Sequence, residues 1–289
     1  MSAGSALRDM TDPDTAADAF GVLSDPSRVA ILRELTDRGH AGDGSVVEFA
    51  ELRRAVGFDD AGRFNYHLGK LRDRFVVKRE GGYAPTYAGM KAIGSVAAGV
   101  YTSQPEPREA IVDHDCPRCG EALTARYEEH LLTVECEDHD AFYVTAVPPS
   151  VAEGADIHEI VDFSISDVQL DLERAVDGVC PSCSGVMVPT EFDRDDGGHL
   201  SVSIDCESCW MGIQVPVGLT ALRHPAVVSL YYDHGVDVRR EFPAALDFAH
   251  SRDNATVVAE DPIEVELDVE VGEESLTLRI DDALNVTEA

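Results

Sequence analysis

Four short stretches decide how this chain is read: Cys116-Pro117-Arg118-Cys119-Gly120, Cys136-Glu137-Asp138-His139, Cys180-Pro181-Ser182-Cys183 and Cys206-Glu207-Ser208-Cys209. Each places two potential metal ligands with two residues between them, a spacing that lets one tight turn aim both side chains at one ion. Gly120, and the prolines after Cys116 and Cys180, suit such turns. A structural zinc takes four ligands, so the stretches pair in order into a three-cysteine, one-histidine set and a four-cysteine set. The pairing consumes all seven cysteines of the chain. Two structural Zn2+ sites are therefore expected, one at Cys116, Cys119, Cys136 and His139, the other at Cys180, Cys183, Cys206 and Cys209. The alternative for His139 is an ordinary histidine. Disulfides do not suit an odd cysteine count in a cytosolic chain. A thioredoxin-type pair needs a βαβ context that is missing here, and iron–sulfur ligation wants another cysteine arrangement.

Four protein ligands close a zinc site, whereas a catalytic zinc keeps one position for water. Neither HExxH nor the deaminase pattern occurs, and His158-Glu159 has no histidine four residues after His158. There is no phosphate loop and no G-x-S-x-G, so the chain is not expected to be an enzyme. Working outward, the alternating segments 131–135, 141–144, 186–188 and 200–204 read as ribbon strands. The segment 157–176 reads as mostly helical. A helix from about Pro225 ends at Gly235, and 256–258, 263–271 and 275–280 read as a small antiparallel sheet. The polar, proline-containing stretch Gln104-Pro105-Glu106-Pro107-Arg108-Glu109 reads as a linker.

Upstream, Asp25 and Pro26 mark a helix start, and Val29, Ile31, Leu32 and Leu35 give it an apolar stripe. His40 to Ser45 reads as a Gly-rich loop, and 46–49 as a short strand or the lead into a helix carrying Phe49, Leu52 and Val56. In the next helix Phe64, Leu68, Leu71 and Phe75 fall within an arc of about 60° and form the buried face. Arg63, Tyr66 and Lys70 project from the other side, with Asn65 and His67 on the flanks. Residues 76–79 and 83–85 flank Glu80-Gly81-Gly82 as a hairpin. A further helix over 86–101 carries Met90, Ile93, Val96, Ala97 and Val100 on one face.

This order, with the stretches Leu23-Ser24-Asp25-Pro26-Ser27-Arg28-Val29-Ala30-Ile31-Leu32 and Gly62-Arg63-Phe64-Asn65-Tyr66-His67-Leu68-Gly69-Lys70-Leu71, resembles the ArsR-like winged helix-turn-helix regulators, and among them the haloarchaeal members. The resemblance covers about residues 15–103. Haloarchaeal members often add a double zinc-ribbon region, which extends it to most of the chain. It implies that the helix over about 60–74 is a recognition helix in the major groove and that the hairpin is a wing on the backbone. It makes Arg63, Asn65, Tyr66, His67, Lys70, Lys78 and Arg79 the candidate contacts to double-stranded DNA. Tyr66 and His67 have a plain structural alternative, as cover of the core or packing within it. The metal-sensing members carry a cysteine pair in the helix before the recognition helix. Here 48–56 contains no cysteine, so soft-metal sensing at that helix is not expected. The helix over 86–101 commonly forms the dimer contact in this family, so a homodimer is expected; the alternative is packing on the chain's own C-terminal part.

The chain holds 23 Lys and Arg against 55 Asp and Glu, a net charge of −32 over 289 residues, and only 3 of the 23 are Lys. Such acidity resembles the proteins of salt-in halophiles, where molar salt shrinks the Debye length to about 3 Å. It speaks against nucleic acid and anionic lipid as a global average. The charge is uneven, however. Residues 1–91 balance to −1 and residues 92–289 to −31, while 52–79 carry eight basic and three acidic residues. No apolar run approaches the ~18–20 residues of a membrane span, and the first residues lack the basic and apolar regions of a signal peptide. A cytoplasmic location without membrane partners is expected.

The expected architecture is α+β. It comprises a winged helix-turn-helix at 1–103, a linker at 104–113, a first zinc ribbon at 114–148, a helical connector at 149–178, a second ribbon at 179–218, and a C-terminal helix and sheet at 219–289. The expected role is a DNA-binding transcriptional regulator whose acidic ribbon region serves as an effector, partner-binding or assembly module. The alternative is a protein–protein adaptor of the transcription machinery that uses the same modules without specific DNA binding.

Overall fold

The computed structural model describes residues 12–38, 46–195, 198–250 and 253–289. The loop expected at 40–45 lies outside them. The chain is α+β, with several small antiparallel sheets. It divides into two compact units, one formed by 12–104 with 148–150 and the other by 105–147 with 151–289.

The N-terminal unit holds α1 (Pro13–Leu23), α2 (Pro26–Arg38), α3 (Phe49–Ala55), α4 (Ala61–Leu71), the hairpin β1 (Val76–Arg79) and β2 (Gly82–Pro85), and α5 (Tyr87–Ala97). Short polar side chains start these helices by accepting backbone N–H groups that would otherwise lack a partner. Asp25 accepts from Ser27 N at 2.8 Å, Asp60 from Arg63 N at 2.7 Å and Thr86 from Gly89 N at 3.2 Å. Ile31, Leu32 and Leu35 of α2 meet Leu52 of α3 and Phe64, Leu68 and Leu71 of α4 in one core. Val47 makes both backbone hydrogen bonds with Tyr83, at 2.9 and 3.0 Å, before α3 begins at Phe49. Both readings of 46–49 therefore hold in succession. Gly82 is required there, because a Cβ would sit 2.4 Å from the Val47 carbonyl oxygen.

α4 stops at Leu71, three residues short of the expected 74. Arg72 leaves the helical conformation and Asp73 adopts φ +71°. The chain must reverse there to return Phe75 to the core and enter β1. α5 likewise stops at Ala97 rather than 101, with Gly99 at φ +77°. Its Ala92 and Ile93 pack on the core, while Val96, Ala97 and Val100 are exposed.

The second unit opens with a four-stranded antiparallel meander, β3 (Arg108–Asp115), β4 (Ala122–Glu128), β5 (Leu131–Cys136) and β6 (His139–Ala146). β3 corrects the expected linker, which ends at 107 rather than 113. Val112 is buried under the sheet, and the Arg108 guanidinium donates to the carbonyls of Ala152 and Ala155. A short turn of helix, α6 (Pro149–Ala152), precedes α7 (Ile157–Val176), which starts on a reciprocal Asp156–Glu159 capping box. Next come a three-stranded sheet, β7 (Met187–Arg194), β8 (Leu200–Cys206) and β9 (Gly212–Pro216), then α8 (Pro225–Asp233) and α9 (Asp247–His250). A four-stranded antiparallel sheet closes the unit: β10 (Ala255–Glu260), β11 (Ile263–Val271), β12 (Glu274–Asp281) and β13 (Val286–Glu288).

α7 serves two cores. Its first half, with Ile157, Ile160, Val161 and Ile165, packs with Leu123, Tyr127 and Leu132 of the meander. Its last turns, with Leu172 and Ala175, join Val202 and Ile204 of β8 and Val265, Leu267, Leu278 and Ile280 of the final sheet. Among the described residues no helix is long and apolar enough to cross a membrane.

Candidate metal centres and candidate nucleic-acid interface

The four cysteine-bearing stretches sit at strand ends. Cys116 and Cys119 lie between β3 and β4, Cys136 and His139 across the β5–β6 turn, Cys180 and Cys183 ahead of β7, and Cys206 and Cys209 between β8 and β9. Two of the turns close in the same way. Cys116 N donates to Glu121 O at 2.7 Å and Gly120 N to Cys116 O at 2.8 Å; Cys180 N donates to Gly185 O at 2.8 Å and Ser184 N to Cys180 O at 2.9 Å. The fifth residue takes a left-handed conformation in both, Gly120 at φ +78° and Ser184 at φ +61°. The first cysteine of each stretch is buried in a core, and the second ligand of each is more exposed.

These turns bring the eight ligands into two clusters, Cys116–Cys119–Cys136–His139 and Cys180–Cys183–Cys206–Cys209. In each cluster the ligand atoms lie within 4.8 Å of one another. A tetrahedral ion with ~2.3 Å bonds to sulfur and ~2.0 Å bonds to nitrogen requires S···S edges of about 3.8 Å and S···N edges of about 3.5 Å. In the four-cysteine cluster Cys180 Sγ lies 3.7 Å from Cys209 Sγ and Cys183 Sγ 3.6 Å from Cys206 Sγ. In the other, Cys119 Sγ lies 3.5 Å from Cys136 Sγ, and His139 Nδ1 lies 3.5 Å from the sulfurs of both Cys116 and Cys136. The cysteines are free thiols, not disulfides. Both clusters are thus compatible with a metal ion held by four protein ligands, and His139 stands among the ligands of the first.

Backbone N–H groups prepare the sulfurs for charge. Arg118 N, Cys183 N and Ser208 N point at Cys116, Cys180 and Cys206 Sγ at 3.3–3.5 Å. Burial opposes ionisation of Cys206, but the Ser208 N–H, the Cys183 thiol and the Cys209 N–H outweigh it and bring this thiol to about 7. Burial pushes Cys209 up to about 12, and the neighbouring Cys183, Cys180 and Cys206 sulfurs add to the shift. Four sulfurs this close cannot all ionise unless a cation sits among them, and a divalent ion supplies that charge.

The N-terminal unit exposes a polar and basic face. Arg63, Asn65, Tyr66 and Lys70 on α4 are exposed, as are Lys78 and Arg79 on β1. Lys70 Nζ lies 5.7 Å from the centre of the Tyr66 ring, and Arg63 sits 5.8 Å from that of Phe58. His67 departs from the expected contact set. It is only 6% exposed, its ring 5.7 Å from that of Phe58 and its Nδ1 3.6 Å from Asp25 Oδ1. At 100° per residue it lies beside Phe64 and Leu68, and the Phe58 loop covers it, so it is a core residue packed between α4, that loop and the start of α2. Arg53 is also committed to structure, donating to the carbonyls of Phe58 and Asp59 at 2.6 and 2.7 Å and so holding the loop before α4. Three cations outside the expected set, Arg28, Arg72 and Arg74, line one concavity with Tyr66, Lys70 and two acids, Asp18 and Asp73. Arg72 and Arg74 belong to the basic run already evident in the sequence. Arg28 lies on α2 and joins them only through the fold.

Residues 113–286, more than half of the chain, match a family described as a domain of unknown function, DUF7351. The chain belongs to the DUF7351 family. Both cysteine clusters fall inside the DUF7351 region, as do α7 and β10 to β12. Residues 16–96 match a second domain of unknown function, DUF7347, which spans α2 to α4 and the hairpin. No curated protein and no solved structure matches the chain.

Proposed function

We propose that the chain is a DNA-binding transcriptional regulator. In this reading α2 to α4 and the β1–β2 hairpin form a winged helix-turn-helix, and α4 enters the major groove. The observation that carries it is the exposed row of Arg63, Asn65, Tyr66 and Lys70 on α4, continued by Lys78 and Arg79 on the hairpin, within a chain of net charge −32. Asn65 has the donor–acceptor pair that reads adenine and Arg63 the fork that reads guanine, while Lys70, Lys78 and Arg79 neutralise phosphates. Arg28, Arg72 and Arg74 extend the phosphate set. An acidic remainder steers DNA to this face alone. The exposed Val96, Val100 and Tyr101 at the end of α5 supply apolar surface for a homodimer, which would read two half-sites.

The ion in both clusters is Zn2+ in this reading, because thiolate-rich tetrahedral sites with four protein ligands are those of structural zinc. The metal-bearing acidic unit then serves as the effector, partner-binding or assembly module. Arg63→Ala and Asn65→Ala should each cost about 1–3 kcal/mol of specific binding while leaving the fold intact. The test is a gel shift in high KCl on the DNA upstream of the protein's own gene. Undiminished binding by both variants would sink the assignment, and no shift with the wild-type protein would favour a protein-binding adaptor.

A further inference from the structure

The second unit holds a cavity of about 470 Å3 between β6, α7 and β9, within the ~300–1,000 Å3 of small-molecule sites. Its walls are mostly apolar, with Val144 of β6, Val168 of α7 and Ile213 of β9, and Trp210 stands at it 75% exposed. The polar side chains are few: Gln169 and Asp171 of α7, Thr145 of β6, Gln214 of β9 and His250 of α9. Gln169 lines the cavity at 1% exposure; its amide NH2 is spent on the carbonyls of Val238 and Glu241 at 3.1 and 2.9 Å, and its Oε1 has no hydrogen-bond partner among the described residues. Asp171, half a turn further along α7, also lines the cavity. The cation nearest in sequence, Arg174, is committed elsewhere, to the carbonyl of Cys180 at 3.2 Å and to Pro181 O and Ser184 Oγ at 3.4 Å.

We propose that this cavity binds an organic ammonium ion with an apolar body, the body between β6, α7 and β9 and the charged N–H head at Asp171. The Asp171 carboxylate is an acceptor on a mostly apolar wall. A neutral hydrocarbon leaves it unpaired and an anion is repelled, whereas an ammonium pairs with it. Burial, with Asp167 one turn earlier, raises Asp171 above the usual carboxylate range, and Arg174 offsets this only in part. A bound cation removes that penalty. His250, which also lines the cavity, is held neutral by burial, with its pKa lowered to about 4, so it does not oppose a cation. The inference is independent of DNA binding.

Trp210 is the single tryptophan of the chain, so its emission, excited selectively, reports on this cavity. The full-length protein is titrated in high KCl, which suppresses diffuse attraction of cations to the acidic surface, with octylammonium and with 1-octanol, an uncharged chain of equal length. Octylammonium should give a saturable change, with 1-octanol at least ~10-fold weaker. Asp171→Asn should erase the preference for the amine while leaving the alcohol's affinity unchanged. Val144→Phe, at an exposed rim position, should weaken both ligands. Absence of a saturable signal in the millimolar range overturns the proposal. So does equal affinity of amine and alcohol for the wild-type protein, a comparison that needs no variant. An undiminished amine preference in Asp171→Asn, with circular dichroism and metal content unchanged, overturns it as well.

Discussion

Replacing Cys180 with serine should empty the four-cysteine centre and loosen the larger core while the first centre stays filled. Cys180 is fully buried in the cluster that contains Val202, Ile204, Leu267 and Leu278. Its sulfur lies 3.7 Å from that of Cys209, an edge that corresponds to metal–sulfur bonds of about 2.3 Å. Structural zinc contributes about 10–16 kcal/mol when four ligands close around it, so one ligand accounts for about 3–4 kcal/mol. That is a ~100- to 1,000-fold loss in competition with a chelator. It is also a large share of the ~5–15 kcal/mol by which a domain is stable at all. Metal per chain is measured after dialysis against a chelator, and amide exchange reports where the structure opens. The wild-type chain should retain two zinc ions and Cys180→Ser one. Protection should be lost in β7–β9 and β10–β12 but kept in α2 and α4. Cys116→Ser should also retain one zinc, with the loss confined to β3–β6. Two zinc ions retained by Cys180→Ser, or iron in place of zinc in the wild type, would refute the ligand grouping.

Gly82→Ala should destabilise the N-terminal unit by about 1–3 kcal/mol, because its Cβ would lie 2.4 Å from the Val47 carbonyl oxygen; thermal melting of the purified protein checks this, and an unchanged midpoint contradicts it. His250 has its folded pKa lowered to about 4 by burial and by the charges of Arg118 and His199, against a hydrogen bond with Pro243 that favours the charged form. The unfolded chain therefore binds the extra proton first. Stability from the neutral imidazole is complete above about pH 6.5 and is lost as pH falls toward 4, by up to about 3 kcal/mol. His250→Gln should flatten that part of the stability–pH curve relative to the wild type, as read by denaturant melts at fixed pH.

The two candidate ligand clusters were legible in the sequence because their signal is local. Two ligands three positions apart in a turn depend on nothing distant, and the consumption of every cysteine restricts how the pairs combine. α2, α4 and the β1–β2 hairpin were legible for the same reason, from caps, apolar period and glycine. β3, β4, β9 and β13 went unread: β9 and β13 are short, and nothing local distinguishes β3 and β4 from the polar segments around them. The start of β3 was hidden by the two prolines just before it, which read as linker.

His67 shows where local reasoning ends. The helical period puts it at the margin of the buried stripe, and only the Phe58 loop and Asp25, brought from the start of α2, decide that it is covered. The same holds for α7, whose sequence shows a helix but not that its two halves serve different cores. The cavity beside Gln169 and Asp171 arises from the same three-way packing of β6, α7 and β9. Spacing by itself determined the ligand sets, the helices and the hairpin of the N-terminal unit, and the basic run. The tertiary structure decided which flanking residues are buried, which cations converge and where unpaired polar groups meet an apolar wall, because burial is a property of what packs from elsewhere in the chain.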